Sequence, residues 1–152
     1  MRIYEAGRSA ALDEQLLALS AAWEAEDSCW GYRRNTSADL DGDRIVVAED
    51  ERGVLAYLLG HTERAERSSS VMPEGTVYFE LAELYVRPEL RCQGLGRALF
   101  SHVEDVLRRE KLPLLLLTAA AKNHRSILHF YLDELGMEFW SARLFKRLTK
   151  EE

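Results

Sequence analysis

Between Arg91 and Ala98 the sequence reads Arg-Cys-Gln-Gly-Leu-Gly-Arg-Ala. Upstream, Tyr78 to Val86 has the makeup of a strand that stops at Arg87-Pro88, and downstream Ala98, Leu99, Val103, Val106 and Leu107 recur at helical spacing. A strand, a short glycine loop and a helix together make an anion site. The first backbone N–H groups of a helix have no intrahelical partner, and its dipole is positive at that end. Gly94 and Gly96 let the backbone approach a ligand closely. The donors for a phosphate would be the amides of Gln93 to Ala98 and the charges of Arg91 and Arg97, since arginine suits phosphate by charge and by fork geometry. On the preceding strand, Glu80 and Glu83 are the only acids between Thr76 and Arg87. They are the candidates for proton removal. Strand alternation places them on opposite faces, unless a bulge breaks the parity.

Two common phosphate loops fail at the residues that carry their chemistry. A Walker A loop ends in Gly-Lys-Ser/Thr, whereas Gly96 is followed by Arg97-Ala98. A dinucleotide fingerprint needs a third small residue where Leu99 stands, and an acid about twenty residues on. The later stretch Leu114 to Ala121 is uncharged.

The pattern that fits is Gln/Arg-x-x-Gly-x-Gly/Ala, and the segment resembles the acetyl-CoA loop of the GNAT acyltransferase superfamily. Leu84-Tyr85-Val86-x-Pro88 before it agrees, as do Asn123-x-x-Ser126-Ile127, Phe130-Tyr131 and Leu135-Gly136-Met137 after it. The match runs from about Glu80 to Met137. The resemblance implies an α/β fold with a mixed, mostly antiparallel central sheet flanked by helices, and the cofactor loop between the fourth strand and the next helix. It implies an acetyl-CoA-dependent N-acetyltransferase, with Glu80, Glu83 and Tyr131 as catalytic candidates. Glu80 lies eleven residues before Arg91, the offset of the base in histone acetyltransferases of the superfamily. Glu83 directly precedes Leu84, Tyr85 and Val86, whose backbone would polarise the thioester carbonyl. Arg91 through Ala98, Cys92 and Leu95 among them, would hold the pyrophosphate. Asn123 would touch the pantetheine arm while capping a helix.

Two departures stand out. Tyr131 is eight residues after Asn123, one more than the superfamily's spacing, and so requires either a bulge in that helix or a shifted frame. Cys92 replaces the usual glycine, which is compatible only with a backbone that does not need positive φ there. A thiol in that loop would be a candidate for reactivity.

Bulk properties agree with one domain over residues 1–152. At 152 residues and 47% hydrophobic content the chain can bury a sizeable core. No apolar run reaches membrane-spanning length, and the N-terminus lacks a signal-peptide core. Two cysteines and four histidines show no disulfide framework and no metal-ligand spacing, so a cytoplasmic protein without metal is expected. Met1 to Arg52 carries twelve Asp/Glu against six Lys/Arg, leaving fourteen of each elsewhere. This argues against nucleic acid as a partner. It reads either as a solvated acidic face or as a cleft that collects a cationic amine such as a polyamine or aminoglycoside-type compound. A protein or peptide amine, and a non-catalytic CoA-binding regulatory module, are the alternative readings. The resemblance also allows a homodimer.

The elements that must position these residues are legible in outline. Arg2 to Ala6, Arg44 to Glu49, Val54 to Gly60 and Leu114 to Thr118 read as strands, with a hairpin turn at Asp50 to Gly53. Leu12, Leu16, Leu19 and Trp23 mark a helix starting near Ser9 or Asp13, and Glu24 to Asp43 has room for a second short helix. His61 to Gly75 reads as a mobile loop. Helices are expected from Gly94 to Lys111 and from Asn123 to Leu135, the second stopped by Gly136. Met137 to Trp140 and Arg143 to Arg147 would pair as closing strands.

Overall fold

The computed structural model describes residues 1–149. Five strands form one sheet in sequence order: β1 (Arg2–Ala6), β2 (Arg44–Asp50), β3 (Gly53–Arg64), β4 (Val77–Val86) and β5 (Leu115–Leu117). The first four pair antiparallel, and β5 joins β4 in parallel. Helix α1 (Ala10–Glu26) covers one face and α2 (Leu95–Arg109) the other. A short α3 (His124–Leu128) continues as one π-helical stretch, His129–Glu134. The expected mixed α/β architecture, with the glycine loop between the fourth strand and the next helix, is the one observed.

Both faces of β2 and β3 are covered, so these strands are apolar almost throughout rather than alternating. Leu12, Leu16 and Leu19 of α1 pack on Ile45, Val47, Tyr57, Leu59 and Tyr85. Leu95, Leu99, Phe100, Val103 and Leu107 of α2 pack on Val46, Ala48, Leu58, Phe79 and Leu81. Ser9 caps α1, its hydroxyl accepting from the Leu12 amide at 3.1 Å.

One irregularity decides where the site lies. Leu59 pairs with Glu83 and Gly60 with Leu81, so Ala82 is an extra residue in β4. Phe79 and Leu81 before it, and Leu84 and Val86 after it, all pack on the α2 side. The bulge therefore reverses the alternation, and Glu80 and Glu83 share the opposite face. The opposite-face expectation holds for a regular strand and fails here because one residue is inserted.

Other expectations need correction. β3 runs on to Arg64, and the following loop, Ala65 to Thr76, is closed by hydrogen bonds from Ala65 N to Thr76 O and from Gly75 N to Ala65 O, each 2.8 Å. The expected closing strands do not form: residues 137–149 carry no strand, and Phe139, Trp140, Leu144, Phe145 and Leu148 are exposed. β5 is only three residues long, and so short an edge offers few ladder bonds to order another strand.

Opposite the bulge, Gly60 is held against its neighbours. A Cβ there would sit 2.3 Å from the Phe79 ring and 2.6 Å from the Glu80 carbonyl oxygen. Gly60→Ala is expected to destabilise the protein by roughly 1–3 kcal/mol, because the backbone contact cannot yield. Urea denaturation measures this, and an unchanged midpoint would contradict it.

Candidate active site

The β4–β5 ladder covers only Phe79–Leu81 against Leu115–Leu117. Beyond it the two strands part, and along Glu83–Val86 β4 is paired only with β3. A cavity of about 310 Å³ opens in the split. Leu81 to Leu84 line it from β4, Leu117 to Ala121 from β5 and its exit, and Ile127 and Tyr131 from the third helix. Trp23 and the segment Cys29 to Tyr32 close it from the α1 side. That segment is clipped across the split: Trp30 N donates to Ala120 O at 2.9 Å and Lys122 N to Ser28 O at 2.8 Å.

Glu83 is the polar centre of this cavity. The Tyr57 hydroxyl at 2.9 Å, the Tyr32 hydroxyl at 3.0 Å and the Asn35 Nδ2 at 3.1 Å all donate to its Oε1. None of these bonds uses Oε2. Burial raises the Glu83 carboxyl above its ordinary range, and the three donors offset only part of that rise. Burial likewise lifts Tyr57 and Tyr32 far above the usual phenol value. Tyr32 is set in turn by Ser20, its hydroxyl 2.5 Å from the serine's, and by stacking on Trp23 with centroids 4.2 Å apart.

Glu80 lies around the bulge in a second cavity, of about 410 Å³, lined by His61, Glu63, Tyr78, Glu80, Leu81, Ala82 and Thr118. The two cavities share Leu81, Ala82 and Thr118, so they meet at the bulge. His61 stands between Asp43 and Glu63, with Nδ1 and Nε2 each 3.0 Å from a carboxylate oxygen. Burial raises the Glu80 carboxyl; the charge of His61 lowers it by less, and Glu63 raises it further. The bulge thus brings both candidate acids to adjoining cavities. In the N-terminal third, by contrast, the acids are largely tied up with arginines, as in Asp13 and Asp41 with Arg8 or Glu24 with Arg34. The acids that line these two cavities are Glu63, Glu80 and Glu83.

Tyr131 reaches the first cavity because the third helix changes its pitch. A π-helical stretch inserts one residue relative to an α-helix, which accounts for the extra residue between Asn123 and Tyr131. Tyr131 is buried against Phe100 and Phe130, and burial pushes its hydroxyl up to about 12. Phe130, at the superfamily's usual spacing, lies instead against the glycine loop: a Cβ on Gly96 would be 3.3 Å from its ring. Asn123 caps α3, its side chain accepting from Ser126 N at 3.3 Å.

The loop is less open than the sequence implies. Cys92 has φ 62° and is exposed, so this position does adopt the left-handed backbone that glycine would favour. The expectation of a negative φ is overturned, since Cys92 and Gly94 (φ 84°) both turn the chain into α2. Leu95 is buried in the α2 core rather than presented to the loop, whereas Gln93 and Arg97 are exposed. The Arg91 guanidinium forks onto Glu26, with Nη1 and Nη2 at 2.7 and 3.0 Å from its two oxygens, while Nε donates to Val86 O at 2.9 Å. Tyr85 also donates to Glu26, at 2.5 Å. Among the described residues no group of three or more His, Cys, Asp or Glu is placed to hold a metal ion, and no helix is long and apolar enough to cross a membrane.

Sequence reasoning missed Tyr57, Asn35 and Glu26. Tyr57 left a signal: a phenol inside the apolar run Val54 to Leu59 needs a polar partner when buried. Asn35 and Glu26 left none, because their partners are set by how α1 and the segment after it lie on the sheet.

The comparisons agree with this fold. The family model described as Acetyltransferase (GNAT) family matches residues 11–137. No curated protein sequence matches the chain. Among solved structures, a tetramutant of the BH1408 protein from Bacillus halodurans superposes with a TM-score of 0.74 at 20% identity, over 97% of this chain and 100% of that one. An aminoglycoside antibiotic 6'-N-acetyltransferase from Acinetobacter haemolyticus gives 0.67 at 17% identity, over 99% and 100%. An aminoglycoside acetyltransferase from an uncultured soil metagenomic sample, in complex with trehalose, gives 0.65 at 14% identity, over 97% and 96%.

Two expectations follow from the site. The folded state raises the Glu83 carboxyl, so it favours the protonated form. That stability is present at acid pH and is lost as pH rises from the unfolded value, about 4.3, through the folded one. Glu83→Gln should therefore gain urea midpoint relative to wild type between about pH 4 and about pH 8. An equal difference at both pH values would contradict the buried-charge account. Cys92→Gly should raise stability slightly, by about 0.5–1 kcal/mol, since relief of left-handed strain of about 1–2 kcal/mol exceeds the added chain entropy. A lowered midpoint would refute this.

Proposed function

The chain belongs to the Acetyltransferase (GNAT) family, and from that premise we propose that it transfers the acetyl group of acetyl-CoA to a primary amine of a cationic small molecule. The observation that carries this reading is the convergence of Glu83 and Tyr131, 48 residues apart in sequence, on one cavity in the split between β4 and β5.

The residues present fit acetyl-CoA. The family uses this cosubstrate, and bound acetyl-CoA would supply the activated acetyl group. Its acyl arm matches the split, where β4 has no partner on its β5 side beyond Leu81. Its pyrophosphate matches the N-terminus of α2, where the left-handed turn at Cys92 and Gly94 precedes the free amides of the first helical turn. Arg97 is the exposed cation there.

The amine must lose a proton before its lone pair can form the new C–N bond. Glu83 is suited to accept it at Oε2, because the three hydroxyl and amide donors converge on Oε1. Its raised carboxyl narrows the gap to an ordinary amine, near 10.4. Backbone N–H groups of the unpaired edge at Leu84 to Val86 are the donors for the carbonyl oxygen, fixed before the reaction. As the C–S bond breaks, the sulfur needs a proton. A phenol is protonated at neutral pH, so the Tyr131 hydroxyl can supply one. Glu80 and Glu63 in the adjoining cavity favour a positively charged acceptor there. The structural likeness to aminoglycoside acetyltransferases supports that acceptor class.

Release of free thiol from acetyl-CoA across a panel of polyamines, aminosugars, neutral monoamines and lysine peptides tests the reading. Amines carrying several charges are expected to give the highest kcat/KM. Glu83→Gln should lower kcat by about 10²–10⁴-fold and Tyr131→Phe by at least about tenfold, with CoA affinity nearly unchanged in both. CoA binding with no thiol release for any amine would replace the enzyme by a binding module, and a preference for lysine peptides would move the acceptor to protein.

A further inference from the structure

Arg91 opens the glycine loop, where a guanidinium is ordinarily taken as a phosphate donor. Here its planar fork is already engaged. Both terminal nitrogens reach the two oxygens of Glu26, and Nε is spent on the Val86 carbonyl at the end of β4. Glu26 is the last residue of α1, and its Oε2 also accepts from the Tyr85 hydroxyl. The Arg91 guanidinium lies over the Tyr85 ring, 5.2 Å from its centroid. Four groups from α1, β4 and the loop therefore brace one another. Burial raises the Glu26 carboxyl, but the bonds from Arg91 and Tyr85 outweigh it, so the group is held ionised. By contrast Arg97, on the first turn of α2, is exposed and pairs with no carboxylate among the described residues.

We propose that Glu26 is a positioning residue for the cofactor. Through Arg91 it holds the loop in its binding shape, so that Arg91 serves as a brace and Arg97 as the loop's phosphate-seeking cation. The bidentate fork supplies the rigidity, because two parallel charge-assisted bonds fix the guanidinium plane as well as its place. The proposal rests on the reading of this loop as a CoA site.

Titration calorimetry with CoA at low and moderate salt separates brace from ligand. Glu26→Gln and Arg91→Met should each weaken CoA about three- to thirtyfold, and the double variant should bind no more weakly than the worse single one, since both remove the same brace. Neither should change the salt dependence. Arg97→Ala should weaken binding and flatten the salt dependence, because exposed charge attraction is screened. In turnover, the two brace variants should raise the KM for acetyl-CoA and leave kcat within about threefold.

Glu26→Gln binding as wild type or tighter, effects that multiply in the double variant, or a flattened salt dependence in Arg91→Met would each overturn the proposal. If Glu26→Gln does not fold, Arg91→Lys keeps the charge without the fork, and unweakened CoA binding by that variant would equally overturn it. Wild type failing to bind CoA would remove the loop reading and the brace together. Wild type binding CoA without acetyl transfer would remove the enzyme reading alone, because the brace is measured by binding.

Discussion

The site depends on the early end of one ladder. β4 and β5 pair in parallel over three residues each and then separate. A parallel pair held so briefly leaves the rest of β4 with backbone donors and acceptors bonded on one side only. Buried backbone groups need partners, so the free edge invites something that can hydrogen-bond like a strand, and the pantetheine arm of acetyl-CoA has amides suited to that. The cavity and the residues that line it take their places from this divergence.

Two single-residue insertions bring Glu83 and Tyr131 to the split. The extra residue at Ala82 reverses the alternation of β4, so that Glu83 faces Tyr57 and Tyr32 rather than α2. The π-helical stretch after α3 does the same for Tyr131. Both interrupt a regular hydrogen-bond pattern at a local cost, and both are features found disproportionately at functional sites. Gly60 makes the first insertion feasible, since no side chain fits between β3 and the Phe79 ring there.

Much of the fold was legible because its signals are local. The hairpin at Asp50 to Gly53, the cap at Ser9 and the helix after Gly94 each follow from residues close in sequence. The extra spacing before Tyr131 was legible as an anomaly, and its cause, a π-helical stretch, needed the structure. Long-range partners were not legible. That Arg91 is bound by Glu26, 65 residues earlier, depends on how α1 lies against the loop. That Glu83 is held by Tyr57 and Asn35 depends on the β3–β4 register and on the path after α1. The closing strands failed for a related reason: the large apolar residues in Met137 to Trp140 and Arg143 to Arg147 say nothing of whether an edge long enough to receive them exists.

In the proposed reaction the split between β4 and β5 receives the acyl end of the cofactor between Glu83 and Tyr131. A crystal structure with an unreactive acetyl-CoA analogue tests it most directly. The expected density has pantetheine amides bonded to the free edge of β4, the sulfur beside the Tyr131 hydroxyl and the carbonyl oxygen facing the backbone of Leu84 to Val86. Density for the acyl end outside the split, with Tyr131 remote from the sulfur, would contradict it.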